Sequence, residues 1–143
     1  MQAGDLVAVK RALPLSVSVC LPARDEAPTI GGIVREIRGA LVSIDGGDGL
    51  VDEVVVIDDG STDPTAAIAR AAGATVVAEA DVLPDAGPGS GKGNALWKSL
   101  YACRGDVICW IDADLANFRA ESVVKLLEPL LQSIKNVFVH RLR

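Results

Sequence analysis

The run Glu53-Val54-Val55-Val56-Ile57-Asp58-Asp59-Gly60-Ser61-Thr62-Asp63-Pro64 decides the fold class. Four β-branched residues favour a buried strand, and the strand stops at two adjacent acids and a glycine. Asp63 followed by Pro64 then offers an N-cap and a first-turn proline for a helix through Ala72, which Gly73 closes. Strand, polar turn and helix thus follow one another within about twenty residues, the rhythm of a parallel α/β sheet.

The same alternation extends in both directions. Residues 15–21 read as an apolar strand between Pro14 and Pro22, and Thr29 is expected to cap a helix in which Ile30, Ile33, Val34, Ile37 and Leu41 recur at helical spacing. Residues 45–49 form a Gly/Asp loop, 53–57 the second strand and 74–78 a short third one. A Pro- and Gly-rich loop over 84–93 precedes a helix over 94–103 and a fourth strand over 106–111. A helix over 121–131 has Pro129 near its end, and 136–140 are expected to begin a last strand. No internal repeat interrupts the series. The expectation is one domain over 1–143, a Rossmann-like, mostly parallel sheet flanked by helices with right-handed crossovers. Ligands of such sheets bind beyond the carboxyl ends of the strands, where the strand order reverses. Every unusual polar cluster falls at such an end: Pro22-Ala23-Arg24-Asp25-Glu26, Asp58-Asp59 and Asp112-Ala113-Asp114.

Composition narrows the ligand. Fourteen basic and nineteen acidic residues give a net charge of −5 with no basic tract, which argues against nucleic-acid or anionic-membrane binding. A polyanionic ligand therefore needs a cation or a few local Lys and Arg residues. Cys20, Cys103 and Cys109 lie in apolar runs and read as buried free thiols, which suits a cytoplasmic location. No apolar stretch is long enough to span a membrane, and Lys10 and Arg11 are not followed by the apolar run of a signal peptide.

Asp112-Ala113-Asp114 follows the apolar strand Val107-Ile108-Cys109-Trp110-Ile111. Carboxylates at i and i+2 can face one pocket, and such hard oxygen donors suit Mg²⁺ or Mn²⁺ bridging to phosphates. Spacing alone fits equally a helix-capping Asp beside a solvated one. Convergence of the other clusters on the same edge favours the ligand reading. In the acidic turn, Asp63 is read as a cap and Asp58-Asp59 as contacts to a base or ribose. Gly89-Ser90-Gly91-Lys92-Gly93 is not a Walker loop, since Ala86 and Gly93 stand where that pattern needs Gly and Ser or Thr. Lys92, flanked by Gly91, is read instead as a point charge for a phosphate, with an exposed loop lysine as the alternative. Arg24 and Glu26 either contact a nucleotide or pair with each other. His140, Trp97 and Tyr101 are expected to be structural.

Read together, these segments resemble the GT-A glycosyltransferases, most closely the glucosyl-3-phosphoglycerate synthases. The resemblance rests on residues 16–26, 54–63, 91–97 and 105–115, with Asn117-Phe118 just after. It implies a UDP-sugar donor, UDP-glucose above all, and transfer to 3-phosphoglycerate with retention at the anomeric carbon. By that resemblance Pro22, Ala23, Arg24 and Glu26 hold uracil and ribose, and Asp58, Asp59, Gly91, Lys92, Asp112 and Ala113 belong to the donor pocket. Asp114 binds Mg²⁺ or Mn²⁺; no catalytic residue is assigned. Asp25 stands where Asn is common in the family, and Asp59 where some members have Ser. The resemblance puts the acceptor region and a further metal-ligating His beyond Arg143, so the expectation is a donor pocket without its acceptor half, in a truncated product, a fragment or a subunit completed by another chain, with an open sheet edge that favours self-association or a partner. The alternatives are an inverting GT-A enzyme acting on a polyprenyl phosphate or glycan, and a non-catalytic binding module.

Overall fold

The computed structural model describes residues 2–44, 46–83 and 92–141, without the side chains of 92, 93 and 137–141. Four parallel strands, β1 (Val17–Ala23), β2 (Glu53–Asp58), β3 (Thr75–Ala78) and β4 (Val107–Trp110), form one sheet in the order β3-β2-β1-β4. The helices are α1 (Ala3–Ala12), α2 (Ala27–Ile37), α3 (Thr65–Ala72), α4 (Lys92–Ala102) and α5 (Glu121–Arg141), with a π-helical turn, Arg38–Val42, extending α2. The expected parallel sheet flanked by helices is present. The chain steps outward from β1 to β3 and then crosses back to place β4 on the other side of β1. The strand order therefore reverses between β1 and β4.

Every residue of β1 is buried, as expected for a central parallel strand. The strand runs two residues past its expected end, through Pro22. Cys20 accepts a hydrogen bond from Ile111 N–H, so its polar groups face β4, and alternation turns Pro22 the same way. β4 pairing ends opposite Cys20, so the missing proline N–H interrupts no ladder. Ala23 faces β2 and accepts from Asp59 N–H at 2.9 Å.

Most of the core lies on one face of the sheet. Ile30, Ile33, Val34 and Ile37 of α2 and Val123, Leu127 and Leu131 of α5 pack there with Leu6 of α1, Val19, Leu21, Val54 and Val56. A smaller cluster of Cys20, Val55, Ile57, Ala95 and Cys103 lies beneath α4. Gly73 closes α3 at φ +106°, a left-handed conformation that favours glycine.

Two expectations need correction. Thr29 is not the cap of its helix, which begins two residues earlier at Ala27. The expected strand over 136–140 is the last part of α5, which continues past Pro129. The stripe of Ala120, Val123, Leu127 and Leu131 remains buried across that proline, and its burial outweighs one lost helical hydrogen bond. As expected of aromatic residues four apart on a helix, Trp97 and Tyr101 pack on each other, with ring centroids 5.8 Å apart, while staying 44% and 62% exposed. The N-terminal helix α1 was not anticipated. A Gln2/Asp5 capping box starts it, and Leu6, Val7 and Lys10 form its buried face.

Candidate functional site

The carboxyl ends of β1, β2 and β4 bring the three predicted polar clusters to one edge of the sheet. Pro22 and Ala23 are buried, and the chain turns outward at exposed Arg24. Asp25 adopts a left-handed conformation, φ +53°, which Asn and Asp tolerate better than other side-chain-bearing residues. Its Oδ1 accepts hydrogen bonds from the backbone N–H groups of Thr62 and Asp63, at 2.7 and 3.1 Å, and from the Thr62 hydroxyl. In return, Asp25 N–H donates to Ser61 Oγ and Glu26 N–H to Thr65 Oγ1, each at 2.9 Å. The turn after β1 and the turn after β2 thus form one hydrogen-bonded unit.

Asp63 completes that unit. Its Oδ1 accepts from Thr65 N–H, as an N-cap does, and its Oδ2 accepts from Ala27 N–H at the start of α2. These bonds, led by the Thr65 hydroxyl, hold the Asp63 carboxyl below its ordinary range. Ser61 donates to Asp58 Oδ1. The helix itself starts one residue later than expected, with Pro64 rather than Asp63 at the N-cap, and Asp63 ties the starts of α2 and α3 together.

Asp112-Ala113-Asp114 follows β4, on the other side of the strand-order reversal. Asp112 and Asp114 are exposed and Ala113 between them is buried, an alternation that turns both acids outward. The Thr29 hydroxyl in the first turn of α2 donates to the Ala113 carbonyl oxygen at 2.6 Å. This bond links the acidic segment to the helix behind the β1 turn. Two outward carboxylates suit a hard divalent cation that completes its shell with phosphate oxygens and water. Among the described residues no group of three or more His, Cys, Asp or Glu converges as a protein-only metal site. A cavity of about 330 Å³ adjoins this segment, lined by Thr29, Gly32, Leu115, Asn117 and Phe118 among others.

Behind Asp59 lies a group that the sequence reading missed. Glu79 is 2% exposed and Lys98, from α4, 1%. Asn94 donates to Glu79 Oε1, and Lys98 Nζ donates to the Glu79 carbonyl oxygen at 3.0 Å and lies 3.7 Å from its carboxylate. Burial, reinforced by the hydrogen bond and charge of Asp59, pushes the Glu79 carboxyl up to about 7 against the pull of Lys98. The signal in the sequence was an acid directly after an apolar strand, with Asn94 and Lys98 four apart on a helix.

Gly91 and the rest of the Pro/Gly loop from 84 lie outside the described residues. Lys92 opens α4, which returns from the carboxyl edge of the sheet to the start of β4. A larger hollow of about 530 Å³ lies at the opposite edge, lined by Lys10, Arg11, Asp48 and Asp52 among others. Lys10 pairs with Asp52 at 2.7 Å and Arg11 with Asp48 at 2.6 Å, and Asp52 also accepts from Val17 N–H. Those charges anchor α1 to the sheet, so the hollow is a product of packing.

The family model described as glycosyl transferase family 2 matches residues 18–142. The chain belongs to that family. Its match takes in β1 from its second residue, the other three strands and each of the three polar clusters. Within the family, the chain is closely related to glucosyl-3-phosphoglycerate synthases. It is 46% identical over 128 residues to that of Mycolicibacterium smegmatis, across 90% of this chain and 40% of the relative. The chain thus spans about two fifths of the length of the curated relative it matches. The crystal structure of mannosyl-3-phosphoglycerate synthase from Rubrobacter xylanophilus superposes with a TM-score of 0.84 at 38% identity, over 92% of this chain and 41% of that one. Glucosyl-3-phosphoglycerate synthase from Mycobacterium tuberculosis, in complex with Mn²⁺, UDP and glucosyl-3-phosphoglycerate, gives 0.82 at 42% identity, over 92% and 44%. The same enzyme has been solved with Mn²⁺, UDP-glucose and phosphoglyceric acid, and with Mg²⁺ and UDP. The fold is accordingly the GT-A nucleotide-sugar-binding fold.

Two site features of this family member were not legible in its motifs. In the sequence Asp25 stands out only as a substitution for Asn, whereas in the fold its carboxylate organises the neighbouring turn. The sequence suggests a helix cap at Thr29, whereas in the fold it holds the acidic segment from 84 residues away in sequence.

Proposed function

We propose that this chain forms the donor site of a retaining glucosyltransferase that moves glucose from UDP-glucose to 3-phosphoglycerate with Mg²⁺ or Mn²⁺. The observation that supports it most is the meeting of the β1 turn, the β2 turn and the Asp112-Ala113-Asp114 segment at the strand-order reversal. In this reading Pro22, Ala23, Arg24 and Glu26 hold uracil and ribose, with Asp58 and Asp59 beside the base. Gly91 and Lys92 meet the diphosphate, Asp112 and Ala113 the nucleotide, and Asp114 the metal. A bound divalent cation supplies charge neutralisation for the departing diphosphate. The chain's own contribution is to fix the donor: Thr29 and Asp25 hold the two acidic turns, so little reorganisation accompanies binding. Acceptor, stereochemical course and assembly belong to the same proposal. The relatives' complexes favour 3-phosphoglycerate over a polyprenyl or glycan acceptor.

The outer edge of β4 has no neighbouring strand among the described residues, and exposed Trp110, Trp97, Leu100 and Tyr101 flank it. That edge suits a second copy or a completing chain. Three buried free thiols suit a reducing, cytoplasmic setting, and no helix among the described residues is long and apolar enough to cross a membrane. Competition calorimetry in Mn²⁺ tests the donor assignment. UDP is expected to bind more tightly than GDP or ADP by tenfold or more; equal affinities would contradict it.

A further inference from the structure

Among the described side chains of α4, the buried ones are Ala95, Lys98 and Ser99, and two of those three are polar. The large apolar residues of the helix, Trp97, Leu100 and Tyr101, are exposed. A helix ordinarily docks through an apolar stripe, whose attraction has no direction. Here a single buried alanine supplies little of it, so directional polar bonds set the place of α4 on the sheet. Asn94 donates to Glu79 Oε1, Lys98 Nζ donates to the Glu79 carbonyl oxygen at 3.0 Å, and Ser99 Oγ accepts from Trp110 Nε1 at 2.7 Å. Asn94 and Lys98, one helical turn apart, therefore grip Glu79 by its side chain and by its backbone. A buried Lys–Glu pair adds little stability over an apolar pair of similar volume; what it adds is a fixed geometry.

The element so fixed is the first turn of α4, where Lys92 is the first residue and Asn94 the third. We propose that Asn94, Glu79 and Lys98 are positioning residues for the donor diphosphate: they clamp the first turn of α4 to the segment after β3 and so fix the backbone that carries Lys92. The inference rests on the donor-site reading, in which Lys92 meets the diphosphate. None of the three is a donor contact in that reading; they act through Lys92. Loosening the clamp therefore weakens diphosphate binding only while Lys92 is present to be misplaced. A cluster that merely stabilised the fold would show no such dependence.

Calorimetric titration of the full 143-residue chain with UDP and Mn²⁺ tests this, on the wild type, Asn94→Ala, Lys92→Ala and the double variant. Alanine favours the helix, and thermal melts check that each variant is folded. Lys98→Met, alone and with Lys92→Ala, loosens the same clamp from its other end and gives a second cycle. Lys92→Ala and Asn94→Ala are each expected to weaken UDP binding about tenfold. In the Lys92→Ala background, Asn94→Ala and Lys98→Met should each change the affinity less than about twofold. Equal losses with and without Lys92, or wild-type affinity in folded Asn94→Ala and Lys98→Met, would overturn the inference and leave the donor site standing. Wild-type affinity in Lys92→Ala would overturn the lysine contact and the inference, with the metal-dependent site intact. No UDP binding by the wild type would overturn the donor-site reading and this inference with it.

Discussion

The Thr29 hydroxyl donates a 2.6 Å hydrogen bond to the carbonyl oxygen of Ala113, joining the first turn of α2 to the middle of the acidic segment after β4. The bond crosses the point at which the strand order reverses. It holds Ala113 inward, which leaves the flanking carboxylates of Asp112 and Asp114 outward. Thr29→Val keeps the shape of the side chain but leaves a part-buried carbonyl unpaired. It should cost about 1–2 kcal/mol of stability and weaken Mn²⁺-dependent UDP binding, whereas Thr29→Ser should retain both. Urea denaturation and calorimetry on the pair give the comparison, and equal values for Val and Ser would remove the bond from the account.

Asp25 acts on the adjacent turn. Replacement by Ala removes the acceptor for two backbone N–H groups and leaves a residue that disfavours φ +53°. A loss of about 2 kcal/mol is expected from Asp25→Ala in urea denaturation, against less than half of that for Asp25→Asn, which keeps an oxygen acceptor and tolerates the left-handed conformation.

Glu79 makes stability depend on pH in the direction opposite to an ordinary paired carboxylate. Its folded-state value, about 7, stands above its unfolded value near 4.5, so the folded chain favours the protonated acid. Stability is lost as pH rises from about 4.5, and the loss is complete above about 7. Its size is bounded at about 3 kcal/mol. Glu79→Gln should therefore match the wild type near pH 4 and exceed it near pH 8. Thermal melts across that range read the difference directly; a constant offset would show that Glu79 does not titrate in this window.

The three thiols should react in a fixed order. Cys20 S–H donates to the Cys103 sulfur, which raises Cys20 and lowers Cys103, and burial pushes Cys109 up to about 11. Cys103, also the most exposed of the three at 8%, should be alkylated first by iodoacetamide, as peptide mass spectrometry would reveal. Earlier modification of Cys109 would contradict the Cys20–Cys103 pairing.

How much of this was legible depended on the range of the interactions involved. The strands announced themselves because Val54 to Ile57 and Val107 to Ile111 are uniformly apolar, and the acids that follow each run marked the functional edge. Asp63 was recognisable as a residue of the helix start, one position before the Pro64 N-cap, because its partner Thr65 is local. Thr29, Asp25 and Glu79 were not readable, since their partners lie between 15 and 84 residues away and only the fold brings them together. Residues 136–140 misled for the converse reason. Local β-branched residues suggested a strand, but the buried stripe of α5 carried the helix through Pro129 and onward.

The metal dependence of UDP binding, measured by calorimetry on the wild type and on Asp114→Asn, tests the donor-site account most directly. The account predicts saturable UDP binding in Mn²⁺ that weakens at least tenfold in EDTA or on Asp114→Asn. UDP binding of equal strength with and without Mn²⁺, unchanged by Asp114→Asn, would contradict it.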